Sequence, residues 1–459
     1  MATRTERDAL GPIEVPENAH YGAQTQRAVE NFPVSGRTFS KPFVQALGLI
    51  KELAAIVNSE LGLLPPDMAS AIREAAREVS EGKLDEHFVI DIFQTGSGTS
   101  TNMNANEVIA SRANETLTGK RGGKQPVHPN DHVNRGQSSN DVIPTVIHVA
   151  AVTIMDEQLI PALEKLHREL RKKADEFRDV MKIGRTHLQD AVPISLGQEF
   201  GGYARQVELG IDRIRRAADM LSELALGGTA VGNGLNTHPE FAKRVIVLLS
   251  EKTGRKYREA LDHFEAQAAQ DSAVEASGEL KTLAVSLIKI ANDIRLLASG
   301  PRCGLGEISI PALQPGSSIM PGKVNPVMPE MMIQVAAQVI GNDAVVTFCG
   351  QGGYFELNTM LPVLARNLLE SIELLAAAVR LFTDKCVAGI TANHEKCRSY
   401  IEQSLALSTY LVPFIGYDKA SEISKEAFKT GRTVREVALE KGILPEEKLD
   451  EIFSSISRG

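Results

Sequence analysis

The chain has 459 residues, which predicts two or three domains, because single domains usually span about 100 to 200 residues. With 43% hydrophobic and 24% charged residues, it has the composition of a globular protein, which excludes wholesale disorder. The formal net charge of -8 and the lack of any basic run argue against a nucleic-acid partner. The N-terminus has no apolar signal-like core, and no uninterrupted apolar run of about eighteen residues occurs, so we expect a cytoplasmic protein without a membrane partner.

The cysteines do not indicate a metal centre. None of Cys303, Cys349, Cys386 and Cys397 forms the C-x-x-C spacing of zinc and iron–sulfur sites. We therefore expect reduced thiols with mostly structural roles, and no metal.

Hydrophobic periodicity predicts helices along most of the chain. The first clear pattern follows Lys41, where Val44, Leu47, Ile50 and Leu53 recur at spacings of three. Five long helical patterns then fill the middle of the chain, at residues 142–178, 195–224, 267–299, 330–346 and 356–382. Helices this long, and apolar on several faces, must be surrounded by other helices. The sequence therefore predicts a mainly α protein with a central bundle of five long helices.

The same patterns divide the chain into three predicted domains. A mostly α N-terminal domain covers residues 1–137, the long-helix bundle covers 138–392, and a small α domain covers 393–459. One subunit offers more apolar helix surface than it can bury by itself, so we expect a homo-oligomer.

Four polar segments interrupt the helices and are the candidates for a functional site. "TGSGTSTNMN" and "RGQSSND" offer hydroxyls and backbone N–H groups before helices, where an anion is favoured. "GRTHLQDAVP" carries a histidine, and "GSSIMPGKVNP" carries two serines and a lysine between Gly and Pro residues, as mobile lids often do. Each segment alone is equally typical of a helix cap or an ordinary loop. Together they favour a site for a small polycarboxylate.

These segments resemble the motifs of the fumarase and aspartase superfamily, lyases that break a C–O or C–N bond β to a carboxylate and release fumarate. The resemblance runs from "YGAQTQRAVENF" to the C-terminal domain, and "GSSIMPGKVNP" is similar to the signature loop of the superfamily. "HPNDHVN", "QSSND" and "NTHPEF" look most like class II fumarases, since aspartases typically have threonine at the position of Ser139.

The resemblance implies a three-domain, mainly α fold that assembles as a homotetramer, with active sites shared between subunits. It also implies reversible anti addition of water to fumarate, giving (S)-malate, a step of the tricarboxylic acid cycle that uses no metal and no organic cofactor. Two other functions stay open. One is an aspartate ammonia-lyase, which converts aspartate to fumarate and ammonia, and the other is a helical protein that uses this scaffold without catalysis.

The resemblance further implies roles for individual residues. Ser317 is expected to be the base that removes a proton next to a carboxylate, leaving a carbanion stabilised as an aci-carboxylate. His187, oriented by Glu330, is expected to handle the water on the opposite face. The expected substrate-binding residues are Ser97, Gly98, Thr99, Ser138, Ser139, Asn140, Thr186, Ser318, Lys323, Val324 and Asn325. A second dicarboxylate site would comprise His128, Pro129, Asn130 and Asp131, although Gln125 stands where the family often has a basic residue.

Overall fold

Helices dominate the computed structural model, which describes residues 2–456. The α-helices are α1 (Ala23–Asn31), α2 (Lys41–Glu60), α3 (Pro66–Ser80), α4 (Thr99–Thr118), α5 (Ser139–Ile154), α6 (Ile160–Glu176), α7 (Leu196–Met220), α8 (Phe241–Thr253), α9 (His263–Ala268), α10 (Asp271–Leu297), α11 (Val327–Gly350), α12 (Leu361–Lys385), α13 (His394–Gln403), α14 (Val412–Ile415), α15 (Tyr417–Thr430), α16 (Val434–Glu440) and α17 (Glu446–Ile456). Short 3₁₀ turns lie at Asp85–His87, Val387–Gly389 and Leu405–Leu411, and π-helical turns lie at Pro129–Val133 and Met155–Leu159. The predicted mainly α class is confirmed.

Short strands form small two-stranded sheets in the described part of the chain. The strands are β1 (Thr3–Asp8), β2 (Gly11–Pro16), β3 (Met181–Thr186), β4 (Gln189–Ser195), β5 (Glu223–Leu224), β6 (Arg258–Glu259), β7 (Ile308–Ser309), β8 (Gly353–Tyr354), β9 (Leu357–Asn358) and β10 (Thr391–Ala392). β1–β2, β3–β4, β8–β9 and β7–β10 pair antiparallel, whereas β5–β6 pair parallel. Periodicity did not reveal these strands, because runs so short barely show an alternation of two.

The predicted long helices are present with shifted ends. α5 continues through the π-helical turn Met155–Leu159 into α6, so residues 139–176 form one helical stretch. The predicted helix at 356–382 is wrong at its start, because Asn358 breaks the helical pattern. Its side chain accepts a hydrogen bond from Met360 N and donates one to Cys349 O, which closes the β8–β9 hairpin before α12 begins.

The described residues divide into two compact units, each built from separate stretches of chain. Unit 1 comprises residues up to Ile160, Asp212–Thr282 and Ala337–Leu375. Unit 2 comprises Pro161–Ile211, Leu283–Ala336 and the described residues from Ala376 onward. The three consecutive domains inferred from the sequence stay a prediction, since these units follow spatial contacts rather than chain order.

The core of unit 1 forms around α2, which packs against α3, α5 and α8. Phe43, Leu47 and Ile50 are fully buried on this helix. Gly48 lets α2 and α3 approach closely, since a Cβ there would lie 2.5 Å from Ser80 N. The fully buried Lys51 also lies on α2, and burial lowers its pKa to about 7.

Lys51 fixes the polar segment that precedes α5. Its Nζ donates to Asn134 Oδ1 at 3.0 Å and to Gln137 Oε1 at 2.9 Å. Gln137 adjoins Ser138, so this buried amine holds one of the predicted binding segments in place.

In unit 2 the C-terminal helices form an apolar cluster beneath the β3–β4 hairpin. Ile183 of β3 packs in a cluster with Leu411, Ile423, Val437 and Leu449, all nearly inaccessible to solvent. The hairpin is thereby attached to a helical base rather than to a larger sheet.

Two helical stretches have the length and hydropathy of a membrane span. Residues 139–176 reach a mean hydropathy of 1.4 and are 61% buried over that window, as expected for a core helix. Val327–Gly350 reaches 1.3 but is only 39% buried, and Phe348 on this helix is 66% exposed. α11 therefore presents apolar surface that a single chain leaves uncovered.

Candidate active site

In unit 1 a chain of hydroxyl groups joins the N-terminal ends of α4 and α5. Ser97 Oγ lies 2.7 Å from Thr99 Oγ1, which lies 2.6 Å from Ser139 Oγ. Thr99 and Ser139 are the first residues of their helices, where free N–H groups and the helix dipole favour a negative charge. The structure thus brings these three predicted binding residues together in a place suited to a carboxylate.

Two glycines allow the N-terminal end of α4 to lie this close to its neighbours. Gly98 caps α4 with φ 72°, a left-handed conformation that other residues rarely adopt. A Cβ on Gly98 would also lie 3.0 Å from Ile143, and one on Gly96 would lie 1.9 Å from Thr359 O. The two glycines of "TGSG" are therefore required by the backbone path, whatever the loop binds.

The segment Ser138–Asn140 is held by a buried carboxylate that the sequence analysis did not single out. Asp141 Oδ1 accepts from Ser138 N, and Oδ2 accepts from Gly227 N and Thr229 N. Burial raises the pKa of Asp141, and these three hydrogen bonds oppose the rise. The spacing S-x-x-D, typical of a capping box, was the signal that could have identified it.

The other predicted residues of unit 1 are Asn140, in the first turn of α5, and His128–Asp131, at the start of a π-helical turn. Asn140 Nδ2 donates to Ala230 O at 2.8 Å. His128 caps the π-helical turn Pro129–Val133, because its Nδ1 accepts from Asn130 N and Asp131 N. Hydrophobic periodicity predicted no helix here, because the turn is too short to produce a periodic pattern.

In unit 2 the predicted histidine sits at the tip of a tight β-hairpin. Thr186 pairs with Gln189, so His187 and Leu188 are the central residues of the turn connecting β3 and β4. Their φ angles are 56° and 62°, as type I′ turns require, although such turns normally use Asn and Gly. His187 is exposed, and it is held in a strained conformation of the kind that clusters at functional sites.

We expect Leu188→Gly to raise the free energy of unfolding by about 1 kcal/mol, because glycine removes the left-handed strain. Leu188 is 77% exposed, so little burial is lost. The measurement is the shift of the thermal midpoint.

Leu10→Gly is the matched control for this substitution. Leu10 is 82% exposed in the turn between β1 and β2. It is not among the residues with positive φ, so glycine there relieves no strain and should not stabilise. Equal shifts in both variants would contradict the assignment of strain to Leu188.

The second catalytic candidate of unit 2, Ser317, receives hydrogen bonds from its own loop. Ser317 Oγ accepts from Met320 N at 2.9 Å and from Ile319 N at 3.2 Å. Hydrogen bonds donated to an oxygen favour its ionised form. These two N–H groups therefore supply a physical cause for the activation of this serine.

The base of the same loop is closed by its flanking residues. Gly316 N donates to Lys323 O at 2.7 Å, and Asn325 Nδ2 donates to Gly316 O at 2.7 Å. A Cβ on Gly316 would lie 2.7 Å from Asn325 N, so this contact depends on glycine. Ser318, Lys323 and Val324 are exposed on the loop, and Glu330 follows in the first turn of α11.

The predicted site residues therefore fall into two groups by unit. Unit 1 contains Ser97, Gly98, Thr99, His128, Pro129, Asn130, Asp131, Ser138, Ser139 and Asn140. Unit 2 contains Thr186, His187, Ser317, Ser318, Lys323, Val324, Asn325 and Glu330. The first group offers hydroxyls and backbone N–H groups suited to an anion, and the second contains the predicted catalytic residues His187, Ser317 and Glu330.

The chain is similar to known proteins along most of its length. A family model described as Lyase matches residues 11–341, and one described as Fumarase C C-terminus matches residues 407–456. The chain is 55% identical over 452 residues to a fumarate hydratase class II of Methylorubrum extorquens, which covers 98% of this chain and 96% of the relative. It is 58% identical over 450 residues to the fumarate hydratase class II of Halobacterium salinarum, again covering 98% of this chain and 96% of the relative.

A solved structure agrees with the fold as well. The class II fumarase of Schistosoma mansoni superposes with a TM-score of 0.96 at 43% identity, and the match covers 98% of both chains. The motifs, the fold and the relatives all indicate the same group of lyases. The chain belongs to the class II fumarate hydratase family.

Proposed function

We propose that this protein catalyses the reversible addition of water to fumarate, giving (S)-malate. The observation that carries the proposal is the pair of hydrogen bonds that the Ser317 hydroxyl accepts from backbone N–H groups. The same loop exposes Lys323. A serine is a poor base unless its ionised form is stabilised. The loop provides that stabilisation and places a cation nearby in sequence for an anionic substrate.

In the direction of malate dehydration, ionised Ser317 takes the proton from C3, next to a carboxylate. The electron pair left on C3 moves into that carboxylate, which becomes an aci-carboxylate with two negative charges. Its stabilisation by fixed donors is the main requirement of the transition state. Lys323, Asn325 and Ser318 supply a cation and donors from the loop of unit 2.

The second step breaks the C2–O bond. His187 donates a proton to the departing hydroxide, which leaves as water, while the electron pair of the aci-carboxylate forms the double bond of fumarate. Because His187 and Ser317 act on opposite faces, the elimination is anti. In hydration His187 takes the proton from water, and Ser317 returns one to C3. Glu330 orients His187.

The remaining binding residues hold the rest of the dicarboxylate. Ser97, Thr99 and Ser139 offer hydroxyls at the two helix N-termini, and Thr186 lies next to His187. Gly98 and Val324 contribute through backbone position. The turn His128–Asp131 is a second dicarboxylate site in this proposal, with exposed Asn130 and Asp131.

The protein assembles as a homotetramer with active sites shared between subunits. The uncovered apolar side of α11, including Val345 and Phe348, supports this, since surface of that kind is normally buried against another chain. The negative net charge fits a cytoplasmic enzyme without nucleic-acid or membrane partners.

Incubation with fumarate alone tests the activity. We expect loss of the ultraviolet absorbance of the double bond and formation of malate, with no requirement for ammonium. Maleate, the cis isomer, is the control and should not be consumed. Consumption of fumarate only in the presence of ammonium would assign the protein to the aspartate ammonia-lyases, and no consumption in either case would favour a non-catalytic scaffold.

A further inference from the structure

A buried group of charges lies in unit 2. Glu307 is fully buried, and Arg185 contacts both of its carboxylate oxygens, at 2.8 Å from Nη1 to Oε2 and 3.0 Å from Nη2 to Oε1. Lys182, 1% exposed, places its Nζ 3.5 Å from Glu307 Oε2 and 3.2 Å from Glu199 Oε2. Two cations and two carboxylates thus share one interior site.

Stabilisation of the folded state does not by itself explain why these four charged side chains are buried together. Desolvation opposes burial of charges, and well-packed apolar side chains often replace a buried ion pair without loss. Burial raises the pKa of Glu199 even though Lys182 opposes the rise. Burial would lower the pKa of Arg185, but the hydrogen bonds and charge of Glu307 raise it. What the bidentate Arg185–Glu307 pair does provide is a fixed geometry.

One end of the pair lies beside the histidine turn. Arg185 is two residues before His187 and directly follows the β-bulge between Ile183 and Arg185. Gly184 at the bulge approaches the facing strand so closely that a Cβ would lie 2.7 Å from Val192 O. Bulges change the direction of a side chain, and this one turns Arg185 toward Glu307.

Glu307, the other member of the pair, is connected through the chain to the serine loop. Glu307 directly precedes β7, and the chain continues from β7 to Ser317. The backbone of Glu307 is itself fixed, because its N–H donates to Leu297 O and its carbonyl accepts from Asn393 N, both at 2.9 Å. The carboxylate is therefore an immobile anchor.

We propose that Arg185 and Glu307 are positioning residues that fix both catalytic segments, the His187 turn and the Ser317 loop, to one common anchor. Neither side chain touches the substrate in this scheme. Lys182 balances the second negative charge, because its Nζ lies near both Glu199 and Glu307. The inference rests on the proposed function, because it assigns the pair to the two residues that move protons.

Conservative substitutions in the purified oligomer test the pair. Arg185→Lys keeps the charge but loses the bidentate geometry, and Glu307→Gln keeps the shape but loses the charge. We expect each to lower kcat by about 10- to 100-fold, since small displacements of reacting groups have effects of this order. KM should change by less than about threefold. Glu307→Asp keeps the charge and serves as the milder variant.

Arg178→Lys is the matched control. Arg178 also belongs to unit 2 and pairs with Asp175 at 2.8 Å, but on the surface. Its replacement should leave kcat, KM and the thermal midpoint unchanged.

Two isotope-exchange measurements separate positioning from stability. Exchange of the malate C3 hydrogen with deuterated water reports the step of Ser317, and exchange of the malate hydroxyl oxygen with labelled water reports the step of His187. We expect both exchanges, measured per assembled oligomer, to slow in Arg185→Lys and in Glu307→Gln. Slowing of only one exchange would overturn the common anchor.

Other outcomes are equally decisive. Variants with normal exchange and normal kcat but a lowered thermal midpoint would show that the pair only stabilises the fold. Failure of all three variants to assemble would lead to the same conclusion. A wild-type protein that does not hydrate fumarate would overturn the proposed function. Wild-type hydration with unaffected variants would overturn this inference alone.

Discussion

Replacing Ser317 with alanine is expected to lower kcat for fumarate hydration by about 1,000-fold, within the range attributed to a general base. The reason is that alanine removes the hydroxyl proposed as the base. In the wild type, this hydroxyl oxygen accepts hydrogen bonds from Met320 N and Ile319 N. The contacts that close the loop, from Gly316 N to Lys323 O and from Asn325 Nδ2 to Gly316 O, involve no Ser317 atom and should persist. Initial rates with fumarate measure kcat, and size-exclusion chromatography checks the assembly.

The neighbouring serine provides the comparison. Ser318 is exposed on the same loop and is proposed to bind substrate rather than to move a proton. Ser318→Ala should therefore raise KM more than it lowers kcat. If Ser317→Ala retained more than about a tenth of the wild-type kcat, Ser317 would not be the base.

Asp141→Asn is expected to lower the free energy of unfolding by about 3 kcal/mol and to raise KM for fumarate. Asp141 is fully buried, and its two oxygens accept three backbone N–H groups. An amide nitrogen in place of either oxygen leaves at least one of those donors unpaired, which costs about 1 to 3 kcal/mol in addition to the lost charge-assisted bond. We expect KM to rise because Ser138 N is one of those donors, and Ser138 belongs to the segment proposed to bind the substrate.

The thermal midpoint measures this effect, with an expected decrease of about 5 °C. Asp262→Asn is the control, because Asp262 Oδ1 also accepts two N–H groups, from Phe264 and Glu265, but at an exposed N-cap of α9. Asparagine is an equally good N-cap residue, so the control should be nearly neutral. A neutral Asp141→Asn variant would show that the interior tolerates the change and that Asp141 does not hold the binding segment.

The helices were predictable because their apolar patterns are long. α5, α7, α10 and α11 each show enough turns for a period of 3.6 to be recognised. The β3–β4 hairpin was not predicted, since its turn uses His187 and Leu188 where turn chemistry would call for Asn and Gly. His187, the proposed proton donor, stands at the tip in place of a residue type that marks such a turn.

The candidate site was predictable to the extent that its residues lie in polar segments. The link between Thr99 and Ser139 is a contact over 40 positions of sequence, which no local pattern contains. Asp141 and Lys51 were missed because buried charges resemble surface charges when only the sequence is read. Ser317 was identified by resemblance, whereas its hydrogen bonds to Met320 and Ile319 required coordinates.

The turn at His187 and Leu188 has a consequence for protein engineering. Stabilising substitutions are usually chosen by giving each backbone conformation the residue type that prefers it. At this turn that procedure would replace His187 as readily as Leu188, because both have positive φ. Selection for stability alone would therefore remove the proposed proton donor as readily as its neighbour, and a library for this chain should hold His187 constant while Leu188 varies.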